Sequence, residues 1–183
     1  MNLTFQPSHV LPARVLLDKG VARRVYEFRV RVAKNLPPTQ LQTESMIVFR
    51  RLIHRAVQLY ITTECANILQ RRQPRYAKTI LIRAETLSKG RYLRRWARRL
   101  RSFGFSPEDA VVTAYASFGL ISHSQIARVE VVVTNDLRLA KNFKAQKANI
   151  EDRFKRMVSN LLDPYSSLKL PEVVTTADAL AST

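Results

Sequence analysis

Val131-Val132-Val133-Thr134-Asn135-Asp136 is a short run of β-branched residues that ends in three polar ones. Valine is stiff about its first side-chain torsion and favours extended backbone. A short apolar run bounded by turn formers reads as a buried strand. Arg14-Val15-Leu16-Leu17-Asp18, far earlier in the chain, has the same form and also ends in an aspartate. Strands buried on both faces belong to parallel sheets, and in open α/β sheets ligands bind beyond the carboxyl ends of the strands. Two aspartates delivered to one such edge, in a chain crowded with arginine, point to a cation site that faces a polyanion.

Between these strands, helical and extended patterns alternate. Val21, Val25, Phe28 and Val32 recur at helical spacing among Arg23, Arg24, Arg29 and Arg31, until Pro37-Pro38 ends the helix. Thr39 caps a second helix reaching about Arg55. Val57 to Ile61 is a second strand, and Thr62-Thr63 opens a helix that runs to Arg71-Arg72. Pro74 starts another helix, ending near Arg83; Ala84 to Leu87 makes a third strand, and Gly90 to Phe103 a further helix. Ser106-Pro107-Glu108-Asp109 begins the next, to about Phe118; beyond the strand at 128–134, helices are expected from Asp136 to Phe143 and from Lys147 to Leu162. This pattern predicts an α/β fold, a three-layer α/β/α sandwich around a mainly parallel sheet. Residues 1–13 are expected to form an extended N-terminal arm, 14–162 the domain, and 163–183, turning to Ser, Thr, Ala and Pro, a flexible C-terminal tail.

Lysine and arginine number 31 against 14 aspartates and glutamates, a formal charge of +17. A field of that sign attracts polyphosphates and makes nucleic acid the first partner to expect. A single cysteine, Cys65, excludes an internal disulfide and a thiolate zinc site. No segment is long and apolar enough for a membrane span, and Met1 to Pro12 has neither the charged nor the apolar region of an export signal. A cytoplasmic location with no membrane partner is the expectation. No Walker loop or Gly-x-Gly-x-x-Gly is present, and His9, His54 and His123 have no metal or triad spacing.

The chemistry rests on Asp18, Glu64, Asp109 and Asp136. Two follow strands, and two lie in the first turn of a helix, so all four are expected at one sheet edge. Hard divalent cations such as Mg²⁺ take carboxylate oxygens and retain waters. Such an ion activates water and neutralises charge on a phosphoryl group. Each acid also has a capping role open to it: Asp18 and Asp136 as N-caps, Asp109 in a near capping box, Glu64 against the helix dipole. Four separate caps, however, need not share a side of the sheet.

Asp109-Ala110-Val111-Val112-Thr113-Ala114-Tyr115-Ala116, followed by Val131-Val132-Val133-Thr134-Asn135-Asp136, resembles the second half of a PIN domain. Val15-Leu16-Leu17-Asp18 is similar to that family's opening strand with its metal-binding aspartate. Ile61-Thr62-Thr63-Glu64-Cys65-Ala66-Asn67-Ile68-Leu69 is similar to its third-helix segment. The resemblance spans residues 14 to 143. It implies a PIN-like fold and a metal-dependent endoribonuclease that leaves 5′-phosphate and 3′-hydroxyl ends. Asp18, Glu64, Asp109 and Asp136 would be catalytic. Mg²⁺ or Mn²⁺ would be held by Asp18, Asp109 and Asp136, with Thr134 and Asn135 orienting Asp136. Two departures stand out. The family's glutamate falls later in the third-helix motif, where this chain has Asn67 or Ile68, and Asp18 is followed by Lys19-Gly20 in place of a small polar pair.

The densest basic element is Lys89 to Phe103, with Arg91, Arg94, Arg95, Arg98, Arg99 and Arg101 on one predicted helix. Tyr92, Trp96, Leu100 and Phe103 form its buried stripe. Six arginines without an acid lack helical ion-pair partners, so they and Lys19 are assigned to the phosphate backbone. Two alternatives accompany the ribonuclease reading: a catalytically inactive PIN-fold nucleic-acid-binding protein, and the toxin component of a toxin–antitoxin pair. Expected partners are therefore RNA ahead of DNA, with an inhibitory antitoxin-like protein and a homodimer as further expectations.

Overall fold

The computed structural model of the protein describes residues 14–181; the expected arm at 1–13 lies outside them. A seven-stranded sheet runs in the order β5-β4-β3-β2-β1-β6-β7. Its strands are β1 Arg14–Leu17, β2 Gln58–Thr62, β3 Ala84–Lys89, β4 Gly119–Ile121, β5 Gln125–Ile126, β6 Val131–Thr134 and β7 Glu172–Thr175. β3, β2, β1, β6 and β7 are parallel, whereas β4 and β5 join as antiparallel strands at one edge. The fold is mixed α/β with a mixed sheet.

Successive side chains on a strand point to opposite faces, and here the two faces carry separate cores. Val15, Leu17 and Val133 belong to one, under helices α1 Lys19–Ala33, α2 Gln40–His54, α3 Thr63–Gln70 and α4 Pro74–Arg83. Leu16, Tyr60 and Val132 belong to the other, under α5 Leu93–Arg101, α6 Pro107–Phe118 and α7 Leu137–Val158. A strand that feeds both cores has no polar side, which is why these runs are uninterruptedly apolar. The register Leu16↔Val132 and Leu17↔Val133 sets Asp18 beside the end of β6, where the Asp18 N–H donates to Val133 O at 2.9 Å.

Two expectations need correction. The helices expected from Asp136 to Phe143 and from Lys147 to Leu162 are one 22-residue helix. Lys144-Ala145-Gln146 contains no breaker, and all three residues favour the helix. The expected flexible tail at 163–183 is ordered in part. Glu172–Thr175 pairs along β6 as β7, and α8 Thr176–Ala181 packs against α2. The unsatisfied edge of β6 accounts for this, since its backbone groups need partners once Val132 and Val133 are buried. Among the described residues no helix is long and apolar enough to cross a membrane.

Candidate active site

The carboxyl ends of β1, β2 and β6 and the amino ends of α1, α3, α6 and α7 open onto one cleft of about 880 Å³. Asp18, Glu64, Asp109 and Asp136 all line it. Lys19, Arg23, Arg24 and Arg138 supply positive charge around them, and Leu41, Val111, Val112 and Leu137 an apolar wall. The four acids that sequence spacing nominated are therefore brought into one cavity, but their bonding differs sharply.

Asp18 occupies the N-cap position of α1, yet its side chain makes no capping hydrogen bond. Its Oδ2 instead accepts from the Thr134 hydroxyl at 2.8 Å. Burial pushes this carboxyl above its ordinary value. The bonds from the Thr134 hydroxyl and the Lys19 N–H, and the Lys19 charge, pull it down, and the neighbouring Asp109 charge adds to the rise. A buried carboxylate that feels a second one is short of positive charge. Gly20 leaves room beside it, since a methyl there would sit 3.5 Å from Asp18 Oδ2.

Asp109 is in the first turn of α6, where the N-cap Ser106 Oγ accepts from the Asp109 N–H at 3.1 Å. No return bond from the Asp109 carboxyl completes a capping box, unlike α2, where Thr39 and Gln42 close one. Asp136 behaves otherwise. Its Oδ1 accepts from the N–H groups of Arg138 and Leu139 at 2.8 and 3.0 Å, so it caps α7 while Oδ2 stays out of the cap. The capping interpretation holds for Asp136 and fails for Asp18 and Asp109.

Glu64 is held in an ion pair with Lys89 at 3.1 Å and accepts the Tyr115 hydroxyl at 3.2 Å. Burial raises its carboxyl, but its own N–H, Lys89 and Tyr115 outweigh that and set it below the ordinary value. Glu64 thus enters the cleft already neutralised, with Lys89 as the partner that sequence spacing did not suggest. Lys19 pairs with Glu108 at 3.0 Å. Glu27 gathers the rim, accepting from Arg23 and Arg24 at 2.6 and 2.7 Å.

Thr134 bridges two of the acids. Its buried hydroxyl donates to Asp18 and accepts the Asp136 N–H at 2.9 Å. Asn135 takes a different role from the expected one. Its amide donates to Ser45 Oγ at 3.0 Å and accepts from Thr176 Oγ1 at 2.8 Å, so it ties α2 to α8 and makes no bond to the Asp136 carboxyl. Replacing Thr134 with valine keeps the volume and removes both bonds. We expect a loss of about 1–3 kcal/mol in urea unfolding, because buried polar groups lose a partner. Any turnover should fall roughly ten- to a hundredfold through the disordered Asp18.

No family model matches the chain, and neither does any curated protein or solved structure.

The remaining chemistry narrows. Cys65 is buried, and burial followed by the Asp18 charge pushes its thiol up to about 12, so it is no nucleophile. No group of three or more His, Cys, Asp or Glu side chains among the described residues forms a ready-made metal cage. Mg²⁺ does not require one, since it is commonly held by one or two carboxylates, waters and a substrate phosphate. Asp18 and Asp109 fit that donor set: two interacting carboxylates, neither consumed by a cap or an ion pair among the described residues. Asp136 has one oxygen, Oδ2, outside its cap.

The cationic side chains of the arginine-rich segment are exposed. Lys89 ends β3, Arg91 and Tyr92 form a turn, and the helix begins at Leu93, later than expected. Trp96 and Leu100 are fully buried against α6 and α7. Arg94, Arg95, Arg98, Arg99 and Arg101 lie on the outer side, and none reaches a carboxylate among the described residues.

Proposed function

We propose that the protein is a PIN-like, Mg²⁺- or Mn²⁺-dependent endoribonuclease whose cleft cuts RNA phosphodiester bonds. The observation that carries this reading is that Asp18 and Asp109 line one cleft at the sheet edge, with neither carboxyl in a cap or an ion pair among the described residues. Such a pair costs stability unless a cation lies between them. Bound there, Mg²⁺ or Mn²⁺ supplies a water acidic enough to attack at neutral pH and charge to offset that on phosphorus.

The chain's own groups do the rest. Asp18 and Asp109 would hold the cation, and Thr134 fixes the Asp18 rotamer from behind. Asp136 anchors the start of α7, and its second oxygen would be open to a water of that cation. Lys19, Arg138 and the Glu27-anchored Arg23 and Arg24 draw the phosphate backbone to the rim. The outer arginines of α5 extend that hold, with affinity that falls steeply with salt. Glu64 keeps Lys89 in place and is assigned no proton transfer.

A non-catalytic RNA binder is the second reading, favoured by the lack of a three-ligand group among the described residues and by the neutralised Glu64. A 5′-labelled unstructured RNA incubated with Mg²⁺, Mn²⁺ or EDTA separates the two. The nuclease gives metal-dependent internal cuts that Asp109→Asn eliminates; the binder gives retarded, intact RNA under every condition.

A further inference from the structure

Cationic side chains crowd a second place, on the other helix layer. From Arg71 to Arg83 the chain holds Arg71, Arg72, Arg75, Lys78 and Arg83 and no acid. Arg71 and Arg72, in the turn between α3 and α4, and Arg75, in the first turn of α4, are exposed and reach no carboxylate among the described residues. Two of them are braced on aromatic rings. The Arg72 guanidinium lies over the Tyr26 ring at 6.0 Å and that of Arg75 over Tyr76 at 5.8 Å. The two tyrosines meet edge to face, 6.4 Å apart. Arg91 over Tyr92, at 5.5 Å, repeats the device beside α5.

Bracing of this kind engages the cation with the ring and leaves its N–H donors free. It also fixes a side chain that would otherwise lose much rotamer freedom on binding. A solvated basic face needs no such support. Tyr26 and Tyr76 belong to the core beneath α1–α4, and Tyr92 packs on the core beneath α5–α7. The braced arginines therefore stand on opposite sides of the sheet, with the cleft at the edge between them. Tyr26 is seven residues along α1 from Lys19 at the cleft, about 10 Å of helix.

We propose that the Arg72–Tyr26–Tyr76–Arg75 cluster is a second phosphate-backbone platform, which holds a single RNA strand on the far side of the cleft from α5. This rests on the RNA reading of the cleft and adds that the strand crosses the sheet edge, with both flanks held. A flat anionic membrane reaches one face of the sheet and not both, whereas a flexible polynucleotide bends over the edge.

Fluorescence anisotropy tests this in EDTA, where binding is read without turnover. The probes are a 24-nucleotide and a 6-nucleotide unstructured RNA, with phosphatidylserine vesicles assayed in parallel, bound by the wild type and by Arg72→Ala/Arg75→Ala. For the long RNA, removing two phosphate contacts should weaken binding at least fivefold near 0.1 M salt. It should also flatten the log–log salt slope by about 1.4. The short RNA, unable to span both platforms, should bind nearly unchanged, and Arg72→Lys/Arg75→Lys should restore most of the slope. An unaltered slope on the long RNA overturns the platform. So does equal weakening of both RNAs, or weakening only toward phosphatidylserine vesicles. If the long RNA behaves as expected and no cutting occurs in Mg²⁺, the platform stands and the nuclease reading falls. If the wild type binds no RNA, both fall.

Discussion

Asp18→Asn is expected to reduce RNA cleavage more than about 100-fold, since a direct cation ligand matters more than its supporting shell, and at the same time to raise thermal stability. The two effects share one cause. In the folded chain the Asp18 carboxyl sits above its ordinary value of 3.8, chiefly because burial disfavours its charge. A raised carboxyl binds its proton more tightly in the native state than in the unfolded one. The contribution of Asp18 to native stability is therefore most favourable below 3.8 and declines as pH rises through the folded value, with the full penalty above it. Asparagine is neutral at every pH, and its Oδ1 still accepts from Thr134. The variant should melt above the wild type near neutral pH in EDTA, and the gap should close as pH falls toward 3.8. Mg²⁺ should raise the wild-type melting temperature by mass action and leave the variant's unchanged. RNA binding should stay within about threefold, because the backbone contacts are elsewhere. A variant that cuts as well as the wild type, or melts below it in EDTA at neutral pH, contradicts the assignment of Asp18.

Gly90→Ala is the second large effect, and it acts on the frame that holds the site. Gly90 is buried where β3 leaves the sheet for α5, and a methyl on it would lie 1.9 Å from the Phe118 carbonyl oxygen at the end of α6. That oxygen is backbone, so relief demands a shift of one chain against the other. The corner is tight on both sides: Lys89 pairs with Gly119, where a methyl would come 2.5 Å from the Tyr115 oxygen. Overpacking against backbone should cost about 3 kcal/mol or more, roughly 10 °C for a chain of this size. The same displacement would pull Lys89 and Tyr115 from Glu64 and tilt the helix that carries Asp109. A thermal melt within about 2 °C of the wild type would show that the corner yields freely.

How much of this was legible beforehand depends on whether a signal is local. Val15-Leu16-Leu17-Asp18 and Val131–Asp136 announce strands that end in acids, because burial on both faces demands an unbroken apolar run. The convergence of the four acids followed from strand ends and helix starts sharing one edge. Which acids cap did not follow. Asp18 and Asp136 have the same local setting, and only the Thr134 hydroxyl, placed by the β1–β6 register, turns one away from its helix and leaves the other in place. Lys89 and Tyr115 on Glu64 are likewise tertiary contacts across 25 and 51 residues of chain. β7 was missed because Val173-Val174 is too short to register among polar neighbours and forms only against β6. The interior of α7 looks like a break in the sequence because no apolar residue falls on its buried side between Phe143 and Ile150. The basic run of Arg71, Arg72 and Arg75 is legible as an extension of the positive surface, but the bracing of Arg72 is not, since Tyr26 lies 46 residues before it.

The central claim is that the cleft carboxylates share a divalent cation, and crystals soaked in Mn²⁺ test it most directly through anomalous scattering. The account predicts a peak within about 2.2 Å of an oxygen from each of Asp18 and Asp109, lost in Asp18→Asn. Full-strength manganese peaks elsewhere on the surface, with the space between Asp18 and Asp109 empty at millimolar Mn²⁺, would contradict it.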